Sequence, residues 1–303
     1  MIIQIIKNIL KPIRAFVLRA YYTRQVNKTK PPYILCECYM ITKNGKVKVN
    51  NWGDDLNSFL FEYATGLKVI NIPFSKMFNK GFSNVYSLIG SILNFYSLDK
   101  KIVYGTGIMN PKGPVRGKPE QIISVRGPKT REVLLERGIS CPEKYGDPVL
   151  LLPCLYKVKG QKHNKPVIIP NMGTFDEDIT LIEKLAEKLD AKILDLRNYN
   201  KWTDPIDEIC GASFVISESL HGLIVAETYN IPSVWVDFIP HPDYWNFKYE
   251  DFYGSIEKKE SIIEIRKVED VDAALEKVRK WKKGNIDYQE LKNLFPFEAE
   301  WVE

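Results

Sequence analysis

Short apolar runs alternate with amphipathic stretches along most of the chain. The apolar runs are rich in Ile, Val and Leu and end at polar or glycine-containing loops, which is typical of buried β-strands. The predicted strands lie at Tyr33–Met40, Lys68–Ile72, Lys101–Tyr104, Gln121–Val125, Pro166–Pro170, Lys192–Leu196, Ser213–Ser217 and Ser233–Asp237. The predicted helices lie between them, at Leu56–Thr65, Lys129–Arg137, Glu177–Leu189, Pro205–Cys210 and Leu220–Tyr229. This alternation indicates parallel sheets covered by helices on both faces.

The chain has 303 residues, which is enough for two domains of ordinary size. The polar stretch Lys157–Lys165, which follows Leu152-Pro153, is the best candidate linker between them. We therefore expect an α/β fold of two doubly wound, Rossmann-like domains that face each other across a cleft, at residues 31–156 and 157–303. The charged stretch from Glu264 to Lys283 is expected to form a helix that closes the second domain. Ligands of such sheets bind at the carboxyl ends of the strands.

Residues 1–30 form a separate segment, in which apolar residues recur at helical spacing between cationic side chains. All seven charged residues among the first 36 are Lys or Arg, whereas the rest of the chain carries 36 basic and 38 acidic side chains. This nearly neutral body argues against nucleic-acid binding. Lys7, Lys11 and Arg14 interrupt the apolar run, so the pattern predicts a helix that lies on an anionic membrane surface through residues 1–20 and does not span it. A helix packed on the body and a disordered tail are the alternatives.

The five cysteines, at positions 36, 38, 141, 154 and 210, are odd in number and scattered. Because no secretory leader is expected either, the cysteines indicate reduced thiols in the cytoplasm. Together with the basic segment at residues 1–30, this predicts a protein at the inner face of the membrane. Cys36 and Cys38 have no partner cluster with zinc spacing. We interpret them as two thiols on one face of a strand and expect no metal site.

The segment Ser213–Gly222 carries the strongest local signal for chemistry. A buried strand ends at Ser217 and a helix begins within two or three residues, so the free amides of its first turn are expected to face the cleft and attract an anion. His221 lies in that turn and can exchange a proton near neutral pH. The helix end would lower the pKa of His221, whereas a bound phosphate or Glu218 would raise it. A capping or packing role is the alternative.

Three other strand ends carry candidate residues. Arg126 can clamp a phosphate or carboxylate through two hydrogen bonds, or form a salt bridge to the following helix. The Gly105-Thr106-Gly107 loop would let backbone approach a ligand, or is simply a turn. In the Asn51–Asp55 loop, one of Asp54 and Asp55 could cap a helix while the other takes a proton from a sugar hydroxyl, or both are structural.

An aromatic-rich stretch follows the last predicted strand. It can stack on the apolar faces of a saccharide or pack at a domain interface. Its members are His241, Tyr244, Trp245, Phe247, Lys248, Tyr249, Phe252 and Tyr253.

Taken together and in order, residues from about 50 to 256 resemble the polysaccharide pyruvyltransferase family, whereas the amphipathic start and the last helix lie outside the resemblance. The first half of the match consists of Asn51-x-Gly53-Asp54-Asp55-Leu56, Gly90-Ser91, Gly105-Thr106-Gly107, Ser124-Val125-Arg126 and Gly146-Asp147-Pro148 with Leu150-Leu151-Leu152. The second half consists of Ser217-x-Ser219-Leu220-His221-Gly222 with Ala226, Ile231-Pro232, and Phe247-Lys248 to Asp251-Phe252-Tyr253.

The resemblance implies a fold similar to the two-domain GT-B glycosyltransferases. It also implies a bacterial enzyme without cofactor that transfers the pyruvyl group of phosphoenolpyruvate to sugar hydroxyls, often as a cyclic ketal. The acceptor would be a lipid-linked saccharide or a surface polysaccharide precursor, bound by the first domain while the second binds the donor. His221 would be the acid, and Asp54 or Asp55 the base. The implied donor-binding residues are Arg126, Asn171, Ser217, Ser219, Leu220 and Lys248, and the implied acceptor-binding residues are Asn51, Trp52, Gly105 and Thr106.

Two positions depart from the family pattern. Family members commonly have Arg where this chain has Ser219, and many have Asp where it has Gly127. Lys248 is the residue expected to supply the missing positive charge. A GT-B glycosyltransferase that uses a nucleotide sugar is the alternative enzyme, because the same cleft and helix end would suit a diphosphate. A saccharide-binding protein without activity is the other alternative.

Overall fold

The structure is a computed structural model that describes residues 16–17, 20–38, 41–43, 46–73, 82–95, 97–177 and 179–302. Two five-stranded sheets, both built from parallel pairs, organise the described chain. The first contains β1 (Tyr33–Cys38), β4 (Lys68–Pro73), β5 (Val85–Ser87), β6 (Lys101–Val103) and β7 (Gln121–Ile122). The second contains β8 (Val167–Ile169), β9 (Lys192–Ile193), β10 (Val215–Ser217), β11 (Ser233–Asp237) and β12 (Ile263–Glu264). A hairpin of β2 (Ile41–Lys43) and β3 (Lys46–Val49) stands outside both sheets.

Helices connect most of the strands, as parallel pairing requires. The helix at residues 20–28 is α1. The helices that follow are α2 (Trp52–Thr65), α3 (Pro128–Glu136), α4 (Leu152–Leu155), α5 (Met172–Glu177), α6 (Thr180–Leu189), α7 (Asp204–Gly211), α8 (Leu220–Thr228), α9 (Phe247–Ser255), α10 (Val271–Arg279) and α11 (Tyr288–Leu294). Short 3-10 turns lie at Pro148–Leu151, Asp243–Asn246 and Val268–Asp270. The predicted α/β class with parallel sheets is therefore confirmed.

The strand order of each sheet reverses once. The first sheet has the order β4-β1-β5-β6-β7, so the chain leaves β1 towards one side and returns to the other side at β5. The second has the order β12-β11-β10-β8-β9, which places the same reversal between β8 and β10. Such switch points open a crevice at the carboxyl ends of the two strands. The loops after β1, β5, β8 and β10 are therefore the ones positioned to hold a ligand.

Most predicted elements exist with shifted ends. The predicted strand Ser233–Asp237 is reproduced residue for residue, whereas the predicted helix Glu177–Leu189 corresponds to α6, and only its first residue falls in the preceding helix α5. The aromatic-rich stretch was expected to be a loop, but a 3-10 turn and α9 occupy it. The patterns also missed β5, since three residues are too few to show a period. Residues 39 and 40 of the first predicted strand lie outside the described chain.

One continuous hydrophobic cluster joins the two sheets. It contains Ile34 and Trp52 from the first half and Val167 and Val215 from the second. The end of the chain returns to the first half, where Phe295 stacks on Phe61 with ring centroids 5.5 Å apart. The closing segment therefore packs on both halves.

The N-terminal helix α1 packs on the first sheet. Its Tyr22 and Val26 contact a cluster that includes Leu35 and Ile70, while Tyr21 and Phe16 are exposed, the latter with 73% of its surface accessible. Residues 1–15, which carry most of the predicted amphipathic pattern, lie outside the described chain. Within the described ranges, no helix has the length and apolar content needed to span a membrane.

Candidate active site

A cavity of about 600 Å³ lies where the two reversals predict it. The first sheet contributes Asn51 and Asp54 at the start of α2, and Gly90 and Ser91 after β5. The second contributes Asn171 after β8 and the run from Glu218 to His221 after β10, and α9 adds Lys248. Residues more than 100 positions apart in sequence therefore face one space.

The start of α2 separates the roles of its two acids. Asn51 is the N-cap residue; its backbone N–H donates to Oδ2 of Asp55 at 3.2 Å, and its side-chain amide donates to Oδ2 of Asp54. Asp55 also accepts a 2.6 Å hydrogen bond from Tyr199 Oη and does not line the cavity, whereas Asp54 does. Of the two candidate bases, Asp54 is the one in contact with the cavity, and Asp55 ties α2 to the segment after β9.

The start of α8 brings an imidazole into the same space. Ser219 is the N-cap residue, and its Oγ accepts from the N–H of Gly222 at 3.4 Å. Ser217 Oγ bonds both the N–H and the carbonyl of Ser219, which fixes the turn, but Ser217 is buried and does not line the cavity. Since first-turn amides have no intrahelical acceptor, those of Leu220 and His221 are available at the cavity wall.

His221 lies directly on the backbone of α2. A Cβ atom built on Gly53 would fall 1.9 Å from His221 Nδ1, so only glycine fits beneath the ring. Nε2 of His221 is buried and has no hydrogen-bond partner within the described chain. The ring thus lines the cavity with one nitrogen free to meet a ligand.

Lys248 faces the same space from α9. Its Nζ lies 3.5 Å from the centre of the Trp245 ring, and Lys248 forms no ion pair with any residue that the structure describes. The aromatic face stabilises the ammonium group without neutralising it. The ring of His241 also stacks on Trp245, with ring centroids 4.4 Å apart. Trp245 therefore contacts both Lys248 and His241 at the cavity.

Burial and neighbouring charges shift the pKa values of His221, Asp54 and Lys248 at the cavity. Burial lowers the pKa of His221 to about 3, with further lowering by Lys248 and Arg126. Burial raises the pKa of Asp54 to about 7, and the charge of Asp55 adds to this effect against Lys248 and Asn51. Burial lowers the pKa of Lys248 to about 7, helped by Arg126 and opposed by Asp54 and Glu218. The protein groups alone therefore favour a neutral imidazole beside a lysine and an aspartate that both titrate near neutral pH.

Glu218 does not act on His221 as expected. Its Oε1 accepts from the N–H of Phe238 at 3.1 Å, and its Oε2 accepts from Thr174 Oγ1 at 2.5 Å and from the N–H of Asn171 at 3.0 Å. The carboxylate therefore points away from His221 and does not raise its pKa. Of the two expected sources of negative charge, only a bound anion is left.

Arg126 differs from its expected place at the ligand. It is fully buried and does not line the cavity. Its Nε and Nη2 each lie 2.9 Å from Oδ2 of Asp251 in α9, and its other bonds go to Ser91 Oγ and the carbonyl of Ile108. The pairing is with α9 and not with the helix that follows Arg126. The guanidinium thus holds Ser91 and α9 in place behind the cavity.

Three of the expected acceptor-binding residues also lie away from the cavity. Trp52 is fully buried in the core, and its Nε1 donates to the carbonyl of Trp202 at 2.7 Å. Gly105 packs against Pro148, and its positive φ of 74° explains the glycine. Thr106 is fully buried, with Oγ1 donating to the carbonyl of Gly90 at 2.8 Å. Packing and internal hydrogen bonds thus hold all three residues away from the cavity.

Sequence reasoning missed other cavity residues. Arg197 lines the cavity after β9, in bonds with Asp195 at 2.9 Å and with Asp176 at 3.0 Å. Its place just beyond a strand end was the available signal. Sequence patterns also missed Phe95 and Met109, which line the cavity from the loops after β5 and β6.

A family model and two relatives match this chain. A family model described as polysaccharide pyruvyl transferase matches residues 24–238. The succinoglycan biosynthesis protein ExoV of Rhizobium meliloti (strain 1021) is 27% identical over 213 residues, which cover 67% of this chain and 60% of that protein. An uncharacterized protein of Acanthamoeba polyphaga mimivirus is 27% identical over 201 residues, which cover 63% of this chain and 66% of that protein. The match thus spans less than two thirds of either relative.

Proposed function

Since this chain belongs to the polysaccharide pyruvyl transferase family, we propose that it transfers the pyruvyl group of phosphoenolpyruvate to sugar hydroxyls. The observation that carries the proposal is the convergence of His221, Asp54 and Lys248 on one cavity at the switch points of both sheets. These residues supply the acid, base and anion contact that the reaction requires. The name of ExoV places that relative in the biosynthesis of a polysaccharide, which fits a saccharide acceptor.

The donor would bind at the second sheet. Phosphoenolpyruvate carries a phosphate and a carboxylate, and the α8 amides at Leu220 and His221 together with Lys248 form a cationic wall for them. Lys248 supplies the positive charge that Ser219 lacks. Asn171 lines the same wall beside Ser219. The two sheets would then belong to two domains facing across this cavity, residues 31–156 on the acceptor side and 157–303 on the donor side.

His221 would act as an acid only once the donor is bound. Before a donor binds, the imidazole would be neutral and would have no proton to give at neutral pH, because burial and two cations oppose its protonation. A phosphate near Nε2 would offset those cations and raise the pKa of His221. This coupling ties proton transfer to donor binding.

The chemical steps follow from these positions. His221 gives a proton to the methylene carbon of phosphoenolpyruvate, and a sugar hydroxyl oxygen attacks the neighbouring carbon while Asp54 accepts its proton. The bond from that carbon to the phosphate oxygen then breaks, and phosphate leaves. Attack by a second hydroxyl at the same carbon closes the ketal, and its proton leaves with phosphate or through Asp54.

The acceptor would be a lipid-linked saccharide or another surface polysaccharide precursor, handled at the inner face of the membrane. Exposed Phe16, Val17 and Tyr21 lie near Arg24 and Lys28 at the end of the basic segment, which is the composition of a surface that binds anionic lipid. Flotation with vesicles tests this part. Binding to anionic but not zwitterionic vesicles, lost on deletion of residues 1–19, is expected, and binding that survives the deletion would contradict it.

The activity itself is tested with a panel of donors. Phosphate release from phosphoenolpyruvate that requires a saccharide acceptor supports the proposal. Thermal stabilisation by a nucleoside diphosphate but not by phosphoenolpyruvate would instead indicate a glycosyltransferase. Saccharide binding without turnover of any donor would indicate a binding protein.

A further inference from the structure

Three side chains with metal-binding atoms converge beside the cavity. They are Glu218 after β10, Asp237 at the end of β11 and His241 in the following loop, and one ligand atom of each lies within 4.8 Å of the other two. Glu218 and His241 also line the cavity. We propose that these three residues bind a divalent transition-metal ion such as Zn²⁺ or Mn²⁺ at the cavity wall.

The spacing fits a metal better than hydrogen bonds. Nε2 of His241 lies 3.4 Å from Oε1 of Glu218 and 3.5 Å from Oδ1 of Asp237. An N–H···O hydrogen bond is usually about 2.7 to 3.2 Å long. Two ligands held about 2.1 Å from a tetrahedral ion are about 3.4 Å apart. The two observed distances therefore match the edges of a metal coordination sphere.

Hydrogen bonds and ion pairs fix both carboxylates with one oxygen of each towards the cluster. Oε2 of Glu218 accepts from Thr174 and Asn171, and Oε1, the oxygen at the cluster, also accepts from the N–H of Phe238. Oδ2 of Asp237 lies 3.2 Å from Nη2 of Arg266. Oδ1 of Asp237, a residue with only 7% of its surface exposed, is buried and has no hydrogen-bond partner within the described chain. Anchoring of the second carboxylate oxygen is what orients metal ligands in proteins.

The imidazole is held in the form that binds metal. The Asn171 side chain caps α5 through Oδ1, which accepts from the N–H of Gly173 at 2.6 Å, so its Nδ2 is the atom 2.9 Å from Nε2 of His241. An amide donor at this distance requires a lone pair on Nε2. Three lone-pair atoms then face one another without a shared proton, and a cation relieves their repulsion. Metal binding would replace the contact with Asn171.

A metal at this position departs from the expectation from the sequence, which included no metal. The ligands come from two strand ends and a loop, so no short spacing motif announces them. Because the site opens to the cavity, an ion there would also contact an anionic substrate. Metal binding itself does not depend on which reaction the cavity supports, so its test is separate from the test of activity.

The test titrates the full-length protein, stripped with a chelator and dialysed, with Zn²⁺ and with Mn²⁺. Calorimetry and metal analysis after gel filtration are expected to give about one ion per chain for at least one metal. Asp237→Asn and His241→Gln should weaken binding by at least about tenfold, as loss of a ligand or its support does. Asp243→Asn, an exposed acid two residues from His241, is the matched control and should bind as wild type.

A spectroscopic measurement on the wild type covers the case in which a variant does not fold. Co²⁺ bound by a histidine and two carboxylates in four-coordinate geometry gives intense visible absorption, whereas hydrated Co²⁺ does not. Such a band, saturating at about one equivalent, is expected. Absence of saturable binding of all three metals would overturn the proposal and leave His241 as an ion-pair partner of the two acids. Unchanged binding by both folded variants would overturn it as well.

Discussion

His221 and Gly53 are in direct contact, although they lie 168 positions apart: a Cβ atom at position 53 would come within 1.9 Å of the imidazole Nδ1. The N-terminal ends of α2 and α8 therefore meet at the cavity with no room for a side chain between them. This contact sets the distance between the candidate acid, His221, and the candidate base, Asp54, which follows Gly53 directly.

Gly53→Ala should push the imidazole out of place. We expect acceptor-dependent phosphate release to fall at least about tenfold, since small displacements of catalytic groups cost this much. The melting temperature should also fall, because overpacking costs about 1–3 kcal/mol. The control is the same substitution in a His221→Ala background, where the clash is absent and Gly53→Ala should have little effect on stability. Equal destabilisation in both backgrounds would show that the contact is not the cause.

Asp54→Asn and Asp55→Asn should separate catalysis from structure. Only Asp54 lines the cavity, so Asp54→Asn should reduce kcat about 100-fold or more, the usual contribution of a general base. Asp55→Asn weakens the bonds to Tyr199 and Asn51 and should cost about 1 kcal/mol of stability with kcat changed by less than about tenfold. Steady-state kinetics beside urea unfolding measures both. A larger loss of kcat in Asp55→Asn would reverse the assignment.

Lys248 should make donor binding sensitive to pH. Burial lowers the pKa of Lys248 to about 7. The charge of Arg126 also opposes protonation of Lys248, whereas Asp54 and Glu218 favour it. The positive charge is lost as pH rises through that value, so the KM for phosphoenolpyruvate should rise above pH 7. Lys248→Arg keeps its charge and should flatten this rise, and Lys248→Met should have a high KM throughout. A wild-type KM that is constant from pH 6 to 8.5 would contradict the role.

The lowered pKa of Lys248 should also make the stability of the protein depend on pH. In the unfolded chain a lysine titrates near pH 10.4, so between about pH 7 and 10 the unfolded state binds more protons than the folded state. Stability of the wild type relative to Lys248→Met should therefore rise with pH over this interval. Urea unfolding at pH 6.5, 8 and 9.5 measures the difference, and a difference that falls with pH would contradict burial of the lysine.

The buried pair of Arg126 and Asp251 should be structural. Asp251→Ala leaves the guanidinium buried without its partner and should cost about 3–5 kcal/mol. Glu276→Gln breaks the exposed pair with Lys280, which solvent screens, and should change the stability very little. Chemical denaturation compares the two. Similar costs for both variants would mean that Arg126 is not held as the structure shows.

The sequence pattern located strand ends better than it located contacts between them. Asn51 and Asp54 were found because they open a helix after a turn, and His221 because it follows a buried strand and opens a helix. Such local signals survive in a single sequence. Arg126 was placed at the ligand because it stands at a strand end, and Trp52 because the family resemblance implied it. Their burial depends on α9 and on the segment around Trp202, more than 100 residues away, which no local period encodes. The proposed metal-binding group joins two strand ends and a loop, so no short spacing motif announces it either.

In the proposed mechanism, His221 supplies the proton in pyruvyl transfer. The direct measurement is phosphate release from phosphoenolpyruvate, with and without a saccharide acceptor, by wild type and by His221→Gln, with folding of the variant checked by circular dichroism. We expect acceptor-dependent phosphate release by the wild type and a rate lower by at least about 100-fold in His221→Gln. Turnover by the folded variant within about twofold of wild type would contradict it.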